Sequence, residues 1–127
     1  MNWYCVHMIY FFELKHESDQ GVFPVWENVV IYRGRDFDDA MKKAELRARA
    51  EESTTDETLT WQDRPVALRF GGIRKIIECD PPATETAQEA GFVVEGTEVT
   101  YSEFLVEGKE NLRKLFAGEA VSIVYEN

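Results

Sequence analysis

Cysteine is scarce in this 127-residue chain, which holds only Cys5 and Cys79. Two thiols so far apart in sequence cannot make a disulfide framework. They suit a reducing cytoplasm, with a single Cys5–Cys79 bridge as the alternative. Long apolar runs are missing too. None approaches the ~20 residues that a membrane-spanning helix needs, and the opening MNWYCVHMIYFFELK lacks the basic leader and small-residue cleavage site of a signal peptide, so it is read as a strand. Basic residues are in the minority, 14 Lys and Arg against 24 Asp and Glu, for a net charge of -10. Such a surface repels phosphate backbones and anionic membranes, which argues against both as partners and permits a basic protein. Plain solubility is the simpler reason for the same charge. There is no phosphate loop, because Gly71-Gly72 is not followed by Lys-Ser/Thr and opens no helix. Internal repeats and low-complexity tracts are also lacking.

What is present is a globular composition, 44% hydrophobic and 13% aromatic. The length suits one α+β domain over residues 1–127, large enough to bury roughly two-thirds of its unfolded surface. The organising stretch is Val25 to Glu52, a strand handed directly into an alanine-rich helix at about 36–52. Asp36 is a good N-cap and Asp39 stands where a capping-box acid would. Asp38 and Asp39 lie at the positive end of the helix dipole, and Lys42, Lys43, Arg47 and Arg49 follow toward the negative end. Phe37, Ala40, Met41, Ala44 and Ala48 recur at helical spacing, a stripe of mostly small residues that would let the helix lie close on a sheet.

The first strand, Trp3 to Leu14, alternates with period two. Tyr4, Val6, Met8, Tyr10, Phe12 and Leu14 form a wholly apolar face that belongs in the core. Trp3, Cys5, His7, Ile9, Phe11 and Glu13 form a mixed face, expected to be partly covered by a loop, a second subunit or a ligand. Gly71-Gly72, between VALRF and IRKIIEC, reads as a tight hairpin link, with a β-bulge in one continuous strand as the alternative. Asp80 to Gly91 is loop-like, with a short helical turn near Thr86 to Ala90. Thr97 to Gly108 is strand-like. A short helix over 109–117 is closed by Gly118 as its C′ residue, and AVSIVYEN supplies a last strand. The expectation is a single, mostly antiparallel sheet of about five to six strands, with the main helix and the C-terminal helix on one face.

These residues carry a resemblance. The Trp3-Tyr4-x-Val6 opening, Trp26-Glu27-x-x-Val30, the Asp36-x-x-x-Ala40-x-x-x-Ala44 helix start, Phe70-x-Gly72-Ile73 and Gly96-Thr97-Glu98-Val99-x-Tyr101 occur in the order seen in a bacterial family. Over Trp3 to Leu105 the chain resembles the domain of unknown function 4288. It departs where Leu68 and Arg69 stand in place of a tryptophan before Phe70, and in a longer loop before Gly96. The resemblance implies an architecture and a bacterial setting; it implies no catalytic residue, cofactor or substrate.

The candidate binding residues are Trp3, His7, Trp26, Glu27 and Glu98. Glu27 and Glu98 sit beside bulky apolar residues in strands. They would act as binding or acid/base groups if their pKa values were raised; pairing with Arg33, Arg69 or Arg74 across strands is the favoured reading. Trp3, Trp26 and Trp61 could line an aromatic pocket, though core and rim positions suit them better. Cys5 and His7 share a strand face that Cys79 could join as zinc ligands or as a nucleophile with a base, but no paired ligand spacing or local motif supports either. No metal, cofactor or catalytic residue is therefore assigned. The leading reading is a cytoplasmic, non-enzymatic protein-interaction module, with a basic partner, an immunity-like role or a homodimer through the sheet as its forms. The alternative is a small-molecule binder or enzyme with a pocket around His7, Glu27 and Glu98.

Overall fold

A computed structural model describes residues 2–17, 19–54, 58–79 and 95–125. The loop expected over 80–91, with its helical turn near 86–90, lies outside them. In chain order the elements are β1 (Asn2–Leu14), β2 (Val22–Gly34), α1 (Phe37–Thr54), β3 (Thr60–Trp61), β4 (Arg64–Cys79), β5 (Glu98–Glu107), α2 (Lys109–Phe116) and β6 (Val124–Tyr125). The strands form one six-stranded sheet in the order β3-β4-β1-β2-β5-β6, with every pairing antiparallel. The α+β class expected from the sequence holds. No helix among the described residues is long and apolar enough to cross a membrane.

α1 starts as its sequence dictates. Asp36 Oδ1 accepts from the Asp39 N–H at 2.8 Å, and Asp39 Oδ2 accepts from the Arg35 N–H at 2.9 Å, so two backbone donors near the helix start are satisfied by carboxylates. Ala40, Ala44 and Ala48 are fully buried against Tyr4, Val6, Met8 and Tyr10 of β1 and Val30 and Tyr32 of β2. The small stripe brings the helix close to the sheet, and a larger side chain at Ala44 would overpack it by about 1–3 kcal/mol.

The first connection is held by a side chain. The β1–β2 ladder ends at Phe11↔Val25, and Pro24, which comes next, has no N–H with which to continue it. The buried amide of Gln20 takes over. Its Nε2 donates to the carbonyls of Phe12 and Val22 at 3.0 and 2.9 Å, and its Oε1 accepts from the Leu14 N–H at 2.9 Å.

Gly71-Gly72 does not turn the chain. β4 runs unbroken from Arg64 to Cys79, so the bulge alternative is the correct one. Ile9 faces Gly72 and Tyr10 faces Phe70, leaving Gly71 as an extra residue; a second irregularity between His7↔Lys75 and Met8↔Ile73 leaves Arg74 extra. Gly72 has φ +132, and a Cβ on Gly71 would run into the Phe116 ring. One glycine supplies a conformation and the other makes room for α2.

α2 ends at Gly118, as expected. Gly118 has φ 76, its N–H donates to Leu115 at 3.1 Å, and the Glu119 N–H donates to Lys114 at 2.9 Å, which is the Schellman pattern. The helix does not share a face with α1, however. Leu112 and Leu115 pack with Ile9, Phe23, Val25, Phe104 and Val106, and Phe116 packs on Phe11, so α2 covers the face that α1 leaves open. Those residues alternate with the α1-facing set, so the sheet carries an apolar patch on each side and each helix takes one. The Ile9–Phe11 half of the mixed β1 face is therefore covered by the chain itself.

Candidate functional site

Register decides which of the expected residues meet. In β1–β2, Ile9 faces Glu27 and His7 faces Val29, which makes His7 and Glu27 diagonal neighbours on the α2 side. The bulge at Arg74 turns that side chain onto the same spot. Arg74 Nε donates to Glu27 Oε1 and Arg74 Nη2 to Oε2, both at 2.7 Å, while His7 Nδ1 lies 2.8 Å from Oε2. Burial works to raise the Glu27 pKa, but the hydrogen bonds from Arg74 and then His7 outweigh it and hold the carboxyl below its ordinary value. This is opposite to the raised pKa that an acid/base role would call for. Both carboxylate oxygens are engaged, so Glu27 is an anchored anion that orients His7. A cavity of about 320 Å³ opens beside the pair, edged by Glu27, Arg74 and Ser102 and walled by Leu115, Val121 and Ile123.

Glu98 is elsewhere. It pairs in register with Val30, a residue of the α1-side core, and so stands on the sheet face opposite Glu27. There, beyond the area α1 covers, Trp26 faces Glu103 and Asn28 faces Tyr101. Trp26, Asn28, Tyr101, Glu98 and Glu103 line an open cleft of about 200 Å³. Trp26 is 38% exposed, its ring resting edge-on against Phe12 at 4.8 Å, and Tyr101 is 60% exposed. Two basic residues of α1 are committed elsewhere: Lys43 to Glu95 at 2.7 Å, and Arg47 to Glu51 at 3.2 Å and to the Gly96 carbonyl. Among the described residues neither Glu98 nor Glu103 has an ion-pair partner. The cleft is thus two exposed aromatic rings and two uncompensated carboxylates around one asparagine.

The three tryptophans do not converge. Trp3 is buried on the α2 side with the Arg33 guanidinium 5.5 Å from its ring centroid, and Trp61 lies on β3 beside Arg64, at a hollow of about 360 Å³ that contains none of the five candidate residues. Cys5 and Cys79 do meet, with sulfurs 3.2 Å apart. His7 turns to Glu27 instead, and no cluster of three or more His, Cys, Asp or Glu among the described residues could hold a metal.

Of the five candidates, then, the structure joins His7 to Glu27, puts Trp26 with Glu98, and leaves Trp3 with Arg33. Arg74, Tyr101 and Glu103 are additional members of these sites. In the sequence Arg74 is only one of three arginines able to pair with a carboxylate, Tyr101 stands out only as the end of the Gly96-Thr97-Glu98-Val99-x-Tyr101 motif, and Glu103 carries no signal beyond strand alternation.

No curated protein and no solved structure matches the chain. A family model, described as Domain of unknown function (DUF4288), matches residues 3–102. That span includes β1 from Trp3 onward, all of β2, α1, β3 and β4, and every one of the five candidates, and by it the chain belongs to the family of domain of unknown function 4288.

Proposed function

We propose that this domain is a non-enzymatic protein-interaction module that receives a basic segment of a partner on the open β2–β5 face. The observation that carries the reading is the cleft of Trp26 and Tyr101 flanked by Glu98 and Glu103. Aromatic faces attract a lysine or arginine head through their quadrupole, carboxylates attract it by charge, and an exposed aromatic is where interface energy concentrates. The net charge of -10 steers a basic partner inward from a distance and would set a second copy of this chain against like charge. Neutralising a basic toxin in a bacterial cytoplasm, as an immunity protein does, would use this chemistry.

The test is capture from a lysate of the native host on immobilised domain, comparing the unaltered chain with an E98Q/E103Q/Y101S variant. These positions are exposed, so the variant should fold. The expected result is a basic protein held by the unaltered chain, released by moderate salt and lost from the variant. Equal retention on both, or none on either, would count against the reading.

A small-molecule site is the second reading, favoured by the 320 Å³ cavity beside Glu27 and Arg74. Arg74 takes the place Glu98 was expected to fill, so such a ligand would be held by Arg74, Ser102 and the apolar wall. Thermal shift against a panel of small carboxylates checks it: stabilisation lost in S102A supports it, and no stabilisation dismisses it.

A further inference from the structure

Cys5 and Cys79 are diagonal neighbours on one face of the β1–β4 ladder, in which Cys5 faces Ile77 and Trp3 faces Cys79. Their sulfurs stand 3.2 Å apart, and each residue is half-buried, within reach of a small solute. A disulfide needs about 2.05 Å between sulfurs, so closing the pair asks for a movement of about 1 Å. Cys79 ends β4, and that movement needs to disturb only the last pair of the ladder.

We infer that Cys5 and Cys79 form a vicinal dithiol that small disulfides of the glutathione type oxidise to an intrachain disulfide. The chemistry balances in two exchanges. One cysteine thiolate attacks a sulfur of the small disulfide, making a mixed disulfide and releasing one small thiolate. The other cysteine thiolate then attacks the protein sulfur of that mixed disulfide, forming the Cys5–Cys79 bond and releasing the second small thiolate. Two electrons pass from the cysteine pair to the oxidant, and the two cysteine protons end on the two released thiols. The second exchange is fast because the attacking sulfur is already in place, at a high effective concentration. The bond joins the start of β1 to the end of β4, on the sheet face opposite the Trp26–Tyr101 cleft, so it is chemically independent of partner binding there.

The experiment exposes the folded full-length chain to oxidised glutathione, weighs it intact, maps its peptides and counts its reactive thiols. The expected result is loss of both thiols, a mass lower by two hydrogens, a Cys5–Cys79 linked peptide, no change in oligomeric mass, and recovery of both thiols with dithiothreitol. The single variants C5S and C79S should each stop at one glutathione adduct. Two adducts on one chain, a linkage between chains, or two thiols surviving in folded protein while a small dithiol in the same tube is oxidised would each overturn the assignment. The unaltered chain alone decides the matter should either variant fold poorly.

Discussion

Glu27 and Arg74 form a two-point ion pair, both contacts at 2.7 Å, across a strand that separates them: Glu27 belongs to β2, Arg74 to β4, and β1 runs between. The pair clamps the three central strands over Ile9. A paired, largely buried charge left alone is more costly than a neutral residue, and a hydrogen bond to a charged group is worth about 1.5–3 kcal/mol. E27Q should therefore lower unfolding free energy by about 1.5–3 kcal/mol, as read by urea denaturation. A double-mutant cycle with R74Q should show the two losses to be strongly non-additive.

The same carboxylate predicts an acid-side dependence of stability. Its folded pKa lies below the unfolded value of 4.5, because the hydrogen bonds from Arg74 and His7 outweigh desolvation. A group of this sign contributes stability that is fully present above the unfolded value and is lost as pH falls through the folded one. Stability curves taken from pH 6 down to 3 should fall more steeply in the unaltered chain than in E27Q. Parallel curves would show that Glu27 is not the group responsible.

Gly71 and Phe116 are coupled by contact, since a Cβ at position 71 would penetrate the ring. G71A should displace Phe116 from its seat beside Phe11 and loosen α2, at a cost of about 1–3 kcal/mol. Because the fault is steric, F116L in the same chain should recover part of the loss, and chemical denaturation of the three variants measures the coupling. Simple additivity would show that the cost at position 71 does not come from the Phe116 ring.

Much of this fold was legible in the sequence wherever the controlling signal is local. The Asp36–Asp39 cap, the alanine stripe, the core face of β1 and the Gly118 stop each depend on residues within a turn or a strand of one another. The rest depends on register and contact across the sheet. An amphipathic Leu112–Leu115–Phe116 stripe announces a helix and says nothing about which sheet face will receive it. The glycine pair is as good a hairpin signal as a bulge signal, until Phe116 is known to lie on Gly71. Arg74 could be named only as one of several arginines, because its aim comes from a bulge one residue wide. Glu27 and Glu98 look alike in the sequence, as carboxylates in strands, whereas pairing of Val30 with Glu98 puts them on opposite faces and makes Trp26, Tyr101 and Glu103 the neighbours of Glu98.

Oxidation of Cys5 and Cys79 should stabilise the domain. A cross-link between residues so distant in sequence restricts the unfolded chain, for a typical gain of about 2–4 kcal/mol. The disulfide form should melt several degrees above the thiol form in paired thermal scans, with the difference removed by dithiothreitol and absent in C5S. A lower melting point would mean that closing the sulfurs strains the β1–β4 ladder by more than the chain restriction contributes.

The β3–β4 turn carries a local conflict that substitution can relieve. Trp61 faces Arg64 directly, so Gln62 and Asp63 form a two-residue hairpin loop, and both have left-handed backbones, at φ 52 and φ 61. That is the type I′ geometry, which matches the twist of paired strands but suits Asn-Gly far better than Gln-Asp. A left-handed conformation costs an ordinary residue roughly 1–2 kcal/mol, least for Asn and Asp and almost nothing for glycine. Replacing the pair by Asn-Gly (Q62N/D63G) should therefore raise unfolding free energy by about 1 kcal/mol, some of the gain being offset by the greater freedom of glycine in the unfolded chain. The Arg64 guanidinium contacts Glu17 at 3.1 Å and lies 5.8 Å from the Trp61 ring centroid, and both contacts should survive the change. Equilibrium urea denaturation measures the gain; a loss of stability would show that Gln62 or Asp63 makes a contribution in the folded state larger than the strain it carries.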